Sequence, residues 1–339
     1  MIRSFEVFNN LTSDRDMQMK LPTDWRSIAS LLASIFVLAI IFAYLNPRFG
    51  SVENFRNILF QMAVPLIVIV GTTFVIQLGS IDLSVQGIMG GAGMAWILMS
   101  ANTRLETDYG IWAWVVAIGI GVALGLLAGA LHSLIKVPSF VVTLGTWYIG
   151  LGLGIIFYGD GMLPSLKSDV LMAWPTKLTL GLPNAFWLAA VILALGVLIS
   201  RYTHFGRGVL AIGNSENIAR NTGMPVNTIK IMAFTIAGAL SALAGILATM
   251  QIGAGSPDLG SGQLFTVIPA AVIGGTALSG GEGGVMRSAI GVFLLIILNN
   301  GLVLAGVDPA WQSGVFGAIL IAAIVAVARP DRGILKIAK

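Results

Sequence analysis

The chain has 339 residues, of which 56% are hydrophobic and only 10% charged, and its formal net charge is +4. Soluble domains carry about 25% charged residues, so this composition excludes a soluble globular enzyme, and its apolar content excludes a disordered chain. The absence of cysteine excludes disulfide frameworks and thiol nucleophiles, and the only two histidines, His132 and His204, lie too far apart in sequence to suggest a metal centre. A polytopic membrane protein remains.

The apolar segments predict an all-α bundle of about ten membrane-spanning helices, because a helix needs about 20 apolar residues to cross a bilayer about 30 Å thick. In chain order the predicted spans are 27–45, 58–78, 84–100, 111–135, 139–158, 186–200, 231–250, 265–280, 286–304 and 312–328. Gly, Ser and Thr cluster in the third, fifth, eighth and ninth of these. We therefore expect those four to be short, bent or broken.

The positions of Lys and Arg predict that both termini are cytoplasmic. With that orientation the cytoplasmic segments hold 14 of the 19 basic residues and the outer segments hold 5, as the positive-inside rule requires. The predicted organisation is a cytoplasmic N-terminal segment (1–26), one transmembrane domain (27–330) with a cytoplasmic segment at 201–230, and a cytoplasmic tail (331–339). Residues 1–26 are too long and too acidic for the head of a signal peptide, so we expect the first span to be retained.

A stripe of small residues runs along the fourth span, where Gly121, Gly125 and Gly129 recur every four residues and Ser133 follows. Such a stripe lets a second helix approach closely. The favoured interpretation is packing inside one subunit, and a homodimer seam is the alternative.

The chain lacks the residues of several membrane enzymes. No Lys follows a Gly, so there is no phosphate-binding Walker loop, and no span contains paired carboxylates. The one carboxylate at a span junction is Asp82, between the second and third spans. It either caps the following helix, lines a transport path or forms part of a coupling-ion site.

Residues 201–230 interrupt the apolar chain with a polar, mostly basic segment. Its capping residues predict a short helix. Asn214 or Ser215 is suited to the N-cap, Glu216 lies in the first turn, and Gly223 follows the last turn. The predicted helix presents Ile218 and Ala219 on its exposed face. A helix this short needs support, either from its own spans or from a cytoplasmic partner that it contacts.

Four stretches of the chain, taken in order, form a specific pattern: 46–49 with 54–59, 79–85, 205–223, and 271–284 with 299–301. In these stretches the sequence resembles the permease subunits of bacterial ABC importers of the ribose type, and the resemblance runs from about residue 27 to 330. Ser80 and Gln86 stand where the family pattern has glycines.

The resemblance implies import of a sugar or related polyhydroxy solute across the bacterial inner membrane. It implies three partners: a cytoplasmic ABC ATPase, a periplasmic substrate-binding protein, and a second permease copy that is identical or closely homologous. It also implies that this chain is not itself an enzyme and carries no cofactor, since ATP and Mg²⁺ are bound by the ATPase. The residues that it assigns to ATPase coupling are Gly213, Asn214, Glu216, Ala219, Arg220 and Gly223.

Polar residues and glycines in or near the spans are candidates for the translocation path. The Gly-rich stretch at 274–281 either bends or breaks the eighth span near the path or forms a tight inner turn. An ion-gradient-coupled secondary carrier of a small neutral solute remains the alternative function. The path candidates are Asp82, Ser84, Thr143, Gly275, Thr276, Asn299 and Asn300.

Overall fold

The computed structural model describes residues 25–308 and, beyond them, residues 311, 312, 314, 315, 317, 318 and 321, which are helical. Most of the predicted tenth span, most of the N-terminal segment and the whole C-terminal tail lie outside the described residues. The helices are α1 (Trp25–Leu45), α2 (Val52–Gln77), α3 (Val85–Met99), α4 (Ile111–Leu134), α5 (Ser139–Tyr158), α6 (Asp169–Ala173), α7 (Asn184–Tyr202), α8 (His204–Asn214), α9 (Glu216–Asn221), α10 (Val226–Ile252), α11 (Gln263–Ile273) and α12 (Val285–Leu304).

Two short connections complete the regular structure of this region. A 3-10 helix, Pro47–Gly50, joins α1 to α2, and the strands β1 (Leu178–Thr179) and β2 (Leu182–Pro183) form a small antiparallel hairpin before α7. The fold is therefore all-α, as the composition predicts.

Seven of the described helices are long and apolar enough to span a membrane: α1, α2, α4, α5, α7, α10 and α12. The third and eighth predicted spans are short, since α3 has 15 residues and α11 has 11. The fifth and ninth are neither short nor broken, because α5 and α12 are continuous helices of 20 residues. Some of their glycines serve close packing, as Gly150 does against Gly87 and Gly291 against Ala270.

Helix α2 occupies the centre of the bundle, and almost every side chain from Met62 to Gln77 is buried. Its neighbours are α10, α7, α12 and α11. Helices α1 and α7 expose apolar residues such as Phe36 and Val191. This inverted pattern is expected where lipid surrounds the protein, because lipid tails are as apolar as leucine and do not drive these side chains inward.

The glycine stripe of α4 packs against α10 of the same chain. A Cβ at Gly121 would lie 2.3 Å from the carbonyl oxygen of Gly238, and one at Gly125 would lie 2.4 Å from that of Phe234. The two backbones therefore touch, which only glycine permits. The intrasubunit interpretation of the stripe is confirmed, and the surface is not available as a dimer seam.

The connections between helices divide between the two ends of the bundle. At one end, which we call the coupling end, lie the segments 78–84, 135–138, 203–225 and 274–284, and the last of these contacts both 78–84 and 203–225. At the opposite end, the far end, Asn46 donates to the carbonyl of Leu304, and Asn102 pairs with Leu166. Segments that the Lys and Arg distribution places on the same side of the membrane thus lie at the same end of the bundle.

Candidate functional site

The polar segment at the coupling end folds as two helices, not one. Helix α8 begins after Thr203, whose side chain accepts from the N–H of Gly206, and ends at Asn214. Helix α9 follows at once, with Ser215 as its N-cap accepting from the N–H of Ile218. Of the two predicted caps, Ser215 is therefore the one used. Gly223 has φ +79°, the left-handed conformation expected after a helix end.

Helix α9 has one face against the protein and one face free. Ala219 is 3% exposed and packs with Ile212, Val226 and Ile229, whereas Ile218 is 66% exposed. The prediction that Ala219 lies on the exposed face was wrong, because the residue faces the base of α10. The residues on the exposed face of α9 and just after it are Asn217, Ile218, Arg220, Asn221, Thr222 and Gly223.

Glu216 forms two ion pairs, one within α9 and one that links α9 to α10. Its Oε1 accepts from Arg220 at 2.8 Å, and its Oε2 accepts from Lys230 at 2.6 Å. Burial raises the pKa of Glu216, but the hydrogen bonds from Lys230 and Arg220 outweigh it and hold the pKa below the ordinary glutamate value. Arg220 also donates to Asn227. Helix α9 is thus fixed to α10 by charge as well as by packing.

The last turn of α8 lies directly against the end of α2. A Cβ at Gly213 would lie 1.9 Å from the carbonyl oxygen of Gln77 and 2.4 Å from the backbone nitrogen of Gly281. The N–H of Gly281 in turn donates to the Gln77 carbonyl at 2.9 Å. Three backbone segments that are distant in sequence therefore meet without any side chain between them, and we call this contact the backbone junction.

Two further contacts extend the backbone junction. Asn214 donates through Nδ2 to the carbonyl of Gly281 at 3.1 Å. Gly79 and Gly280 are both left-handed, and a Cβ at Gly280 would lie 2.6 Å from the nitrogen of Gly79. Of the four stretches that carry the family resemblance, the second, third and fourth thus come together at one place.

The segment that enters α3 is held by the α4–α5 connection. Ser80 shares a 3.2 Å hydrogen bond with Nε2 of His132, and the N–H of Ile81 donates to the hydroxyl of Ser139 at 3.1 Å. The hydroxyl of the fully buried Thr143 lies within hydrogen-bond distance of the carbonyls of Ser139, at 2.9 Å, and Ile81, at 3.2 Å. Ser80, which replaces a family glycine, therefore makes a contact that glycine could not make.

Asp82 is 2% exposed and lies immediately before α3. Its Oδ1 accepts from the N–H of Ser84 at 2.8 Å and from the hydroxyl of Ser84 at 2.5 Å. Both bonds go to Ser84, the N-cap residue of α3, and the N–H groups of the first turn of α3 receive no side-chain cap. The geometry therefore does not show the expected capping by Asp82, whose carboxylate instead holds the turn that precedes α3.

The Gly-rich stretch at 274–281 forms a turn between α11 and α12. Gly275 is left-handed at φ +83°, and its N–H donates to Val272 at the end of α11. Thr276 is buried and shares a 2.9 Å hydrogen bond with the hydroxyl of Ser288. Of the two interpretations left open, the turn describes this stretch.

The remaining path candidates lie towards the far end of α12. Asn300 is buried, and its Oδ1 accepts from Nδ2 of Asn54 at 3.0 Å, which joins α12 to α2. Asn299, beside it, is exposed. The seven path candidates therefore do not line one surface. Asp82, Ser84, Thr143, Gly275 and Thr276 lie towards the coupling end, away from the two asparagines.

Sequence reasoning missed Lys230 and His132 as parts of the site. Lys230 is the last residue of the predicted cytoplasmic segment, yet it is only 8% exposed and pairs with Glu216. Nothing local marked His132, because its contact with Ser80 comes from a segment distant in sequence.

Comparison with known proteins places the chain in a family. Residues 54–324 match the family model described as branched-chain amino acid transport system / permease component. The ribose import permease RbsC of Haemophilus influenzae is 33% identical, over 88% of this chain and 91% of its own length. The probable ABC transporter permease YphD of Escherichia coli is 35% identical over 87% and 88%. No solved structure gave a significant match.

A further relative is the autoinducer 2 import permease LsrC of Photorhabdus luminescens, which is 29% identical over 91% of both chains. The fold defines a multi-pass membrane protein. The chain belongs to the ABC transporter permease family, and the resemblance to its ribose-type members is confirmed.

Proposed function

We propose that this chain is the permease subunit of a bacterial importer that moves a sugar or related polyhydroxy solute from periplasm to cytoplasm. The names of its relatives, which include ribose and autoinducer 2 import permeases, support the substrate class. In this proposal the chain lies in the inner membrane with the coupling end in the cytoplasm. The excess of Lys and Arg in the segments at that end supports this orientation.

One observation supports the coupling role most directly: α9 exposes one polar face with Ile218 at its centre, and its other face is tied to the bundle. A cytoplasmic ATPase that contacts the exposed face would move α9 as it binds and hydrolyses ATP. The motion would reach α10 through Ala219 and the Glu216–Lys230 pair. It would reach α2 and α12 through the backbone junction at Gly213.

The working unit in this proposal contains two permease copies, two ATPase domains that bind ATP and Mg²⁺, and a periplasmic binding protein at the far end. The ATPases bias a two-state equilibrium between outward and inward access. This chain supplies the translocation path and helix α9, which contacts the ATPase. No step of ATP hydrolysis uses its residues.

The proposal is tested by placing a charge on the exposed face of α9. Ile218→Asp should reduce recovery of an ATP-hydrolysing partner from native membranes by about tenfold or more, because a central apolar contact is lost. Leu180→Asp is the matched control, since Leu180 is exposed in the hairpin at the far end. Equal recovery of the ATPase with both variants, at equal expression, would contradict the coupling role.

The same membranes separate the importer from a gradient-coupled carrier. Uptake by an importer should stop when ATP is depleted and persist in the presence of a protonophore while ATP is maintained. A carrier should show the opposite pattern, since its energy comes from the ion gradient.

A further inference from the structure

The segment that follows α10 turns back into the bundle. Gly255 contacts Ile97 and Met94 near the far end of α3, Pro257 contacts Gly90, and Gly260 contacts the backbone of Gln86. The segment thus runs along α3 towards the coupling end for most of that helix. Helix α11 then begins at Gln263 and continues in the same direction. We call residues 256–263 the re-entrant segment.

The depth of the re-entrant segment follows from its neighbours on α10. Gly245 contacts Met89, and it lies seven residues before the far end of α10 at Ile252. At 1.5 Å per residue, Met89 and Gly90 lie about 10 Å below that end. Gln86 is about 6 Å deeper. Residues 257–260 therefore lie between about one third and one half of the way across a 30 Å hydrocarbon layer.

The backbone of this segment is a series of turns without helical bonding. The N–H of Ser261 donates to Asp258, that of Gln263 to Gly260, and that of Leu259 to Ser256. Irregular backbone at membrane depth is tolerated only when it is buried in protein or lines a water-filled cavity. In this segment Asp258, Ser261 and Gly262 are exposed, so burial within the chain does not account for it.

The exposed side chains carry polar groups that lack partners. Among the described residues, Asp258 forms no ion pair and no side-chain hydrogen bond, and the side-chain oxygen of Gln263 is buried with no donor. Lipid cannot solvate a carboxylate at this depth. Phe265, in the first turn of α11, is 74% exposed.

We propose that the re-entrant segment and the first turn of α11 line the translocation path and contact the solute through Asp258, Ser261, Gln263 and Phe265. This inference rests on the proposed function. A polyhydroxy solute has hydroxyl donors for the carboxylate of Asp258 and the amide oxygen of Gln263. It also has an apolar C–H face that can pack on the ring of Phe265, which matches the mixture of aromatic and convergent polar groups typical of small-molecule sites.

The absence of cysteine from the whole chain makes a direct test available. Asp258→Cys and Ser261→Cys are introduced singly into the complete transporter in native membranes and treated with a charged thiosulfonate reagent. Val191→Cys is the control, because Val191 is exposed on α7 at a similar depth of about 10 Å. We expect the two path variants to react about tenfold or more faster than the control, since lipid excludes the charged reagent.

The outcomes separate this inference from the function on which it rests. Reaction with a lipophilic maleimide but not with the charged reagent, at both positions, would overturn the inference and place the segment against lipid or a second subunit. Reaction with the charged reagent shows that water reaches the segment. It supports the inference whatever the energy source of transport is. Addition of ATP with vanadate then tests the importer, because a path driven by an ATPase should change its labelling rate and a path of another transporter should not.

Discussion

The side chains of Glu216 and Lys230 form an ion pair, with 2.6 Å between Oε2 and Nζ, that joins α9 to α10. Lys230 is 8% exposed, so water contributes little to the solvation of its ammonium group. The Glu216 carboxylate is more exposed and is shared with Arg220. The pair is therefore asymmetric, because Lys230 depends on Glu216 more than Glu216 depends on Lys230.

This asymmetry predicts unequal effects of removing each partner. Glu216→Gln leaves a buried charge without its counterion and should lower the free energy of unfolding by about 1–3 kcal/mol. Lys230→Met should cost less, since Glu216 keeps Arg220. The double variant should be more stable than Glu216→Gln alone, because it removes the stranded charge. Thermal unfolding in detergent measures all three, and strictly additive losses would show that the two residues are not coupled.

The stability of the coupling end should depend on pH through Glu216. Its pKa is lower in the folded protein than the ordinary value of 4.5, so the stabilisation is fully present above that value and is lost as the pH falls through the lowered pKa. The difference in unfolding temperature between the native chain and Glu216→Gln should therefore be constant near neutral pH and shrink below about pH 4.5. A difference that grows on acidification would contradict the assignment.

Gly213 should not tolerate a side chain. In Gly213→Ala the new Cβ would lie 1.9 Å from the Gln77 carbonyl oxygen, so α8 must move away from α2 and Gly281. We expect a loss of about 1–3 kcal/mol of stability and weaker coupling between ATP hydrolysis and uptake. Gly145→Ala is the control, because Gly145 lies in helix α5 and no atom approaches its Cβ position. Uptake per ATP hydrolysed is the measurement, and an unchanged ratio in Gly213→Ala would argue against transmission through the backbone junction.

The contact between α4 and α10 should fail when the stripe is filled. Gly125→Leu places a large side chain where the backbones touch, so we expect loss of most folded protein in the membrane. Gly119→Leu lies on the same helix in open space and should be tolerated. Fluorescence-detected size-exclusion chromatography of both variants distinguishes these outcomes. Monodisperse Gly125→Leu at normal yield would show that α4 can separate from α10.

Several features of the site were available from local patterns. The helix α9 was predicted from Glu216 in its first turn and Gly223 after its last, and both positions are as expected. Ser215, one of the two residues predicted to cap this helix, is its N-cap. Such features depend on residues within a few positions of each other, so a single sequence contains the information.

Other features depend on distant contacts, and the sequence pattern misjudged them. Ala219 was expected on the exposed face but is buried. The sequence of one short helix does not show which of its faces packs against the rest of the protein. The Gly, Ser and Thr clusters of α5 and α12 were interpreted as signs of short, bent or broken spans, since glycine is equally suited to breaking a helix and to letting two helices touch. Only the presence of Gly87 opposite Gly150 decides between these uses.

By itself the sequence determined that this is an all-α membrane protein, where most of its spans lie, and that a capped helix interrupts them near residue 216. These properties follow from the unfavourable free energy of placing polar groups in lipid. That free energy depends on the residues of each segment alone, so it can be read along the chain. The tertiary structure alone decided that Gly79, Gly213 and Gly281 meet and that residues 256–263 return into the bundle. Lipid and protein interior are equally apolar, so hydropathy identifies a span without saying which face it packs or what it touches.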